Sequence, residues 1–105
     1  MAKTKEIGFG GGKAEVREMN MRQFSKLVLS VQESAVEQIL DVLEESTSLT
    51  RDQLMETFPS ENGELVEAIV EVNRPFLDQA ASLGLGDPKA LETMLRSIFI
   101  ILSLN

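Results

Sequence analysis

The chain has 105 residues, with five Phe and no His, Cys, Trp or Tyr. Without His and Cys it lacks the usual base near neutral pH, the commonest metal ligands and any disulfide, so we predict no enzyme, cofactor or metal site. Seventeen acidic and ten basic side chains give a net charge of −7, which disfavours nucleic acid and anionic membranes as partners. The size and the aliphatic composition predict one small domain of packed helices.

The first elements of the chain predict a β-hairpin. Residues 1–6 are polar and are expected to form a flexible N-terminus, followed by a single helical domain over 7–105. Within that domain, residues 7–19 place the glycines 10–12 between two short alternating runs, which favours a hairpin over a disordered arm. GFGGGK is not a phosphate-binding loop, because Ile7 and Ala14 stand where that motif needs Gly and Ser or Thr.

Two helices are predicted next from their capping signals. Asn20 followed by Gln23 indicates one helix start, and Ser34 followed by Glu37 indicates a second. Apolar residues at helical spacing predict the buried stripes of these two helices: Phe24, Leu27, Val28 and Val31, then Val36, Ile39, Leu40 and Leu43.

Residues 49–77 predict two further short helices and a bend. Thr50 with Gln53 is a third capping box, and Ser60 is the predicted cap of the following helix. Gly63 inside that helix predicts a late start, because Gly disfavours helix. Pro75 should break the helix beside Asn73. The buried stripe before the break is predicted to comprise Leu65, Ala68, Ile69 and Val72.

The last part of the chain predicts a helix to about Leu83, ended by Gly84, and a final helix capped by Asp87. The final helix is apolar on both faces near its end, because Phe99 and Ile100 lie opposite its inner face. Such a helix predicts a subunit contact or a client groove. Its inner face is expected to hold Leu91, Met94, Leu95, Ile98, Ile101 and Leu102.

Over roughly residues 15–80 the sequence resembles the short tail assembly chaperones of tailed bacteriophages and related prophages. The resemblance is carried by Val16–Met19 (VREM), by LTRDQL at 49–54, by PSE at 59–61 and by EVNRPF at 71–76. One departure is Asn62-Gly63, where the family has ordinary helix formers.

The resemblance implies a protein that binds the tape measure protein in the host cell cytoplasm and keeps it soluble during tail morphogenesis. It also implies absence from the mature virion and a longer frameshifted product that recruits tail tube protein, of which this chain would be the short form. The alternative is a small acidic oligomeric helical adaptor, or a phage structural or regulatory protein.

Several physical features agree with a helix-binding protein. A helix-turn-helix for DNA is disfavoured, because acidic residues line the helix that would meet phosphates. The longest apolar run, at 98–102, is far shorter than the roughly 20 residues of a membrane span, and no signal peptide is predicted.

The fold class predicted is mainly α, with five or six short helices after a small hairpin, in a homo-oligomer. The candidate partner-binding residues are Phe76, Leu77, Phe99, Ile100 and Leu104, and the alternative interpretation for each is an ordinary core residue.

Overall fold

The fold is mainly α, with six helices preceded by a two-stranded antiparallel hairpin, in a computed structural model that describes residues 2–58, 60–80, 82, 84 and 86–103. The predicted fold class is therefore confirmed. The elements are β1 (Thr4–Phe9), β2 (Gly12–Arg17), α1 (Met21–Gln32), α2 (Val36–Ser46), α3 (Arg51–Glu56), α4 (Gly63–Val72), α5 (Arg74–Ala80) and α6 (Pro88–Ser103).

The hairpin pairs β1 and β2 from Thr4↔Arg17 to Phe9↔Gly12. Gly10 and Gly11 connect the strands with φ of 57° and 81°, the positive values that a two-residue hairpin turn of matching twist requires. The predicted boundary is wrong at one end: β1 begins at Thr4, inside the segment expected to be flexible. The reason is that residues 4–6 complete the ladder with β2, and Lys5 also forms an ion pair with Glu71 on α4.

An isolated hairpin of this size is marginal in water, so it needs a surface to cover. Its buried side chains, Ile7, Ala14 and Val16, join the core against α4. Arg17 ties the other edge to the end of α2, because its guanidinium donates to the carbonyls of Glu45 and Thr47 at 3.0 and 3.1 Å. The hairpin is thus part of the folded unit.

Two of the three predicted capping boxes are confirmed. At the start of α1, Asn20 Oδ1 accepts from the Gln23 amide at 2.9 Å and Gln23 Oε1 accepts from the Asn20 amide at 3.0 Å. At the start of α3, Thr50 and Gln53 make the same reciprocal pair at 3.2 and 2.9 Å. Each box satisfies backbone donors that a helix start leaves free.

The capping box predicted at Ser34 is wrong, although α1 and α2 do separate there. Ser34 adopts a positive φ of 51° at the end of α1, and Ala35 precedes α2 without a side-chain cap. The amide of Ala35 donates to Ser30 O at 2.8 Å and closes α1. Because this segment closes α1, the Ser34 side chain is not positioned to cap α2.

The cap predicted at Ser60 is also wrong, because α4 starts at Gly63 with Asn62 before it. A turn occupies the intervening residues, with the Glu61 amide donating to Phe58 O at 2.8 Å. The late start expected from the glycine is confirmed. The predicted stripe of α4 is buried in full, as Leu65, Ala68, Ile69 and Val72, together with Val70.

The helix break predicted beside Asn73 is confirmed, because α4 ends at Val72 and α5 begins at Arg74. Asn73 is completely buried; its Nδ2 donates to Ile69 O at 2.8 Å, and its Oδ1 accepts from the Met19 amide at 2.9 Å. One side chain thus joins the corner between α4 and α5 to the segment that leads into α1. We call this region the Asn73 corner.

The final helix begins as predicted. Asp87 Oδ1 accepts from the Lys89 amide at 3.0 Å, and Pro88 is the first helical residue. Gly84 has the positive φ of 72° expected after a helix, while Leu83 lies outside the described residues. Of the predicted inner face, Leu95, Ile98 and Leu102 are buried, and Leu91, Met94 and Ile101 are partly buried against them.

Candidate functional site

The structure separates the five candidate partner-binding residues. Leu77 is completely buried in the core, so its assignment as a surface contact is wrong. Phe76 is partly buried beside the Asn73 corner, whereas Phe99 and Ile100 lie together on α6. Leu104 lies outside the described residues. Helix α5 packs against α6, and Leu77 belongs to the buried core cluster.

The first candidate surface is a groove between α3 and α6, with α4 below it, which we call the α3–α6 groove. One wall is a single stripe of α6, in which Arg96, Phe99, Ile100 and Ser103 recur at the helical spacing i, i+3, i+4, i+7. The groove measures about 310 Å³. Its remaining lining residues are Leu54, Met55, Thr57, Asn62, Val66 and Leu102.

Large apolar side chains around this groove remain in contact with water. Ile100 is 61% exposed and Met55 is 43% exposed. Phe58, directly after the lining residue Thr57, is 67% exposed, the highest value among the large hydrophobic residues described. Phe99 is partly buried against the core. The α6 end thus keeps part of its apolar surface uncovered in the isolated chain, as the sequence predicted for Ile100.

The charged side chain on the wall, Arg96, is already neutralised by its own chain. It donates to Glu67 on α4 and contacts Glu92 at 3.4 Å, and Glu92 also contacts Arg74 at 2.7 Å. The hydrogen bond from Arg96 is the main cause that lowers the pKa of Glu67, and the hydrogen bond from Arg74 is the main cause that lowers the pKa of Glu92. The network fixes α6 against α4 and leaves no unpaired cation on the wall.

The second candidate surface is a cleft between α1, α5 and α6, which we call the α1–α5 cleft. It measures about 320 Å³ and contains Phe76, whose ring stacks on the buried ring of Phe24 with centroids 4.0 Å apart. Leu29, 58% exposed, stands at its rim. The other lining residues are Ser25, Val28 and Leu91. Because this stacking covers part of the Phe76 ring, a smaller area of the ring is accessible to a partner than the sequence predicted.

Both surfaces are lined mainly by apolar side chains. The polar residues that line them are Arg96, which is paired, and the neutral Thr57, Asn62, Ser103 and Ser25. Among the described residues no cluster of carboxylates has the arrangement of a metal site, and every buried side-chain polar atom has a hydrogen-bond partner. None of the described helices combines the length and apolarity that crossing a bilayer requires. Both surfaces are suited to apolar contact.

Comparisons with protein-family models, with curated proteins and with solved structures give no match. The resemblance to tail assembly chaperones therefore stays a prediction from the sequence motifs.

The motif residues themselves have structural roles. Val16 is buried and bridges to Thr47, Thr50 caps α3, Asn73 is the buried corner residue and Phe76 stacks on Phe24.

Three exposed residues near these surfaces were missed by sequence reasoning: Met55, Phe58 and Leu29. A signal for Phe58 exists, because it lies between a six-residue helix and Pro59, where no helical stripe can bury it. Met55 and Leu29 gave no such signal. Each directly follows or precedes a buried residue of its helix, and only the positions of neighbouring helices decide which is covered.

Proposed function

We propose that this chain is a phage tail assembly chaperone that binds the tape measure protein in the host cytoplasm and keeps it soluble before the tail tube polymerises. The motifs of residues 15–80 support the family. The single structural observation that supports client binding is the α3–α6 groove, where Ile100, Phe58 and Met55 expose apolar surface around a concave site. A groove of this kind receives the apolar face of a helix.

The energetic argument is that water contact at this groove is unfavourable. Complete burial of a large aliphatic or aromatic side chain is worth about 1.5–3 kcal/mol, so covering the exposed parts of Ile100 and Phe58 offers a client about 2–4 kcal/mol in total. That gain is modest and suits a reversible complex. A chaperone has to release its client when the tube assembles, so weak contacts repeated along a long client serve this function.

Co-expression with the tape measure protein of the same genome tests the proposal. The unmodified chain should raise the soluble fraction of the tape measure protein and co-purify with it. Ile100→Glu, which places a charge in the groove, should abolish both effects while circular dichroism shows unchanged helicity. Thr93→Glu is the matched control, since Thr93 is exposed on α6 outside the groove lining and should leave both effects intact.

Two outcomes would contradict the proposal. The first is a tape measure protein that stays insoluble with the unmodified chain present. The second is full solubilisation by Ile100→Glu, which would remove the groove from the interaction. Light scattering of the same variants separates the alternative function, because an oligomeric adaptor would lose mass in Ile100→Glu without any effect of the chain on the tape measure protein.

A further inference from the structure

The acidic side chains beside the α3–α6 groove have no partners within the described part of the chain. Asp52 and Glu56 lie on α3, whose Leu54 and Met55 line the groove. Both are exposed, and neither makes a side-chain hydrogen bond or ion pair to another described residue. Since α3 rises about 1.5 Å per residue, Asp52 and Glu56 are each displaced less than about 5 Å along its axis from Met55.

Most acidic residues on the neighbouring helices α2, α4 and α6 have partners, although the exposed Glu33 and Asp78 elsewhere in the chain also lack one among the described residues. Glu37, Asp41 and Glu44 on α2 converge on Arg51, and Glu67 and Glu92 share Arg96. The cations with no ion pair among the described residues are Lys3, Arg22 and Lys89, and none of them lines the α3–α6 groove. The α3–α6 groove therefore combines an apolar interior with a negative, unneutralised rim.

We propose that the occupant of the α3–α6 groove is a basic amphipathic helix, whose apolar residues fill the groove while Lys or Arg on its flanks meet Asp52 and Glu56. This inference rests on the proposed function, and it specifies the client segment by its chemistry. Charges within about 8 Å interact at physiological salt, so a helix seated beside Met55 lies within range of this rim. Unpaired rim charges of this kind mainly set the rate of encounter and the choice of partner.

A peptide titration tests the inference with a clean signal. The chain has no Trp and no Tyr, so a single Trp on a peptide reports binding by its emission alone. Two peptides of about 18 residues share one apolar stripe at i, i+3, i+4, i+7 and differ in the polar face, which is Lys in one and Glu in the other. The Lys peptide should bind, more weakly as salt is raised, and the Glu peptide should bind at least tenfold more weakly.

Two double variants separate the rim from the net charge of −7. Asp52→Lys with Glu56→Lys should weaken the Lys peptide roughly tenfold and strengthen the Glu peptide. Glu33→Lys with Asp78→Lys changes the net charge by the same amount at exposed positions directly after α1 and on α5, outside the groove lining, and should change binding less than about threefold. Ile100→Gln, which leaves the charge unchanged, should weaken both peptides.

Equal weakening by the two double variants would overturn the inference, because the attraction would then come from the net charge. So would preference for the Glu peptide, or insensitivity of Lys-peptide binding to Ile100→Gln. Self-association that Ile100→Gln removes and that the Lys peptide does not compete with would assign the groove to a second copy of the chain. The proposed function fails separately: if the tape measure protein is not solubilised while the Lys peptide binds as described, the groove chemistry stands and the client is another protein.

Discussion

The sequence predicted partner-binding residues both at the Asn73 corner and on α6 beside the α3–α6 groove. The fold covers the residues at the corner more completely than those at the groove. At the corner, Leu77 is completely buried and Phe76 stacks on Phe24. At the groove, Ile100 is 61% exposed with no further element over it in the described part of the chain. A helix break places apolar residues at a bend, but the bend is also where neighbouring helices meet. A helix that is apolar on opposite faces packs one face against the core of a small domain, and its other face stays exposed.

The largest effect on stability should come from Leu77 at the corner. Leu77→Ala is expected to lower the free energy of unfolding by about 2–5 kcal/mol, since the side chain is fully buried and the cavity will not collapse completely. Urea unfolding followed by circular dichroism measures this. Ile100→Ala at the groove is the matched control, with an expected change within about 0.5 kcal/mol. If the two variants lose equal free energy of unfolding, the conclusion that the corner is buried and the groove is exposed is contradicted.

The next effect concerns the polar centre of the corner. Asn73→Ala should destabilise by about 1–3 kcal/mol, because the buried amide of Met19 loses its acceptor. Asn62→Ala is the control, since Asn62 makes no capping hydrogen bond from its side chain and should change the unfolding free energy little. If thermal or urea unfolding shows the two variants to be alike, the corner is not held by Asn73.

A smaller effect is expected for the aromatic pair. Phe76→Leu keeps most of the apolar volume and should lose about 0.5–1.5 kcal/mol, the contribution of a stacked pair beyond burial. Phe58→Leu, at a 67% exposed ring near the groove, should leave the unfolding free energy nearly unchanged and weaken client binding instead. An unfolding midpoint lowered more by Phe58→Leu than by Phe76→Leu would contradict the assignment of Phe76, and not Phe58, as the ring that stabilises the fold.

The smallest effect concerns the ionic network beside the groove. Hydrogen bonds from Arg96 and Arg74 lower the pKa values of Glu67 and Glu92, so their stabilisation is present above the ordinary glutamate pKa and is lost as the pH falls through the lowered values. Arg96→Gln should therefore lower the unfolding midpoint slightly near pH 7, and the difference from the unmodified chain should shrink as the pH falls below the ordinary glutamate pKa. A difference that persists in acid would indicate lost packing in place of lost charge.

The local structure was largely predictable because its causes lie within a few residues. The capping boxes at Asn20 and Thr50, the break beside Asn73 and the cap at Asp87 are each fixed by neighbours in the sequence. The failures at Ser34 and Ser60 share one cause. At Ser34 the hydrogen bond that closes α1, and at Ser60 the hydrogen bond from the Glu61 amide to Phe58 O, take precedence over a side chain that could cap a helix.

The candidate site was less predictable because it depends on how helices pack. The exposure of Ile100 was predictable from the two apolar faces of its own helix. The burial of Leu77 and the exposure of Met55 depend on neighbouring elements that no local pattern identifies. The charged rim could not be predicted for a similar reason: the sequence has seventeen acidic residues, and only the structure shows that Asp52 and Glu56, beside the groove, lack partners among the described residues.

The most direct test of the central claim, that the α3–α6 groove is the partner-binding surface, is a methyl NMR titration of the labelled chain with the Lys-bearing helical peptide. We expect shifts concentrated at the methyl groups of Met55, Val66 and Ile100, with those of Val28, Leu29 and Leu91 unchanged. Shifts confined to the latter three, in the α1–α5 cleft, would contradict the claim and assign binding to the other surface.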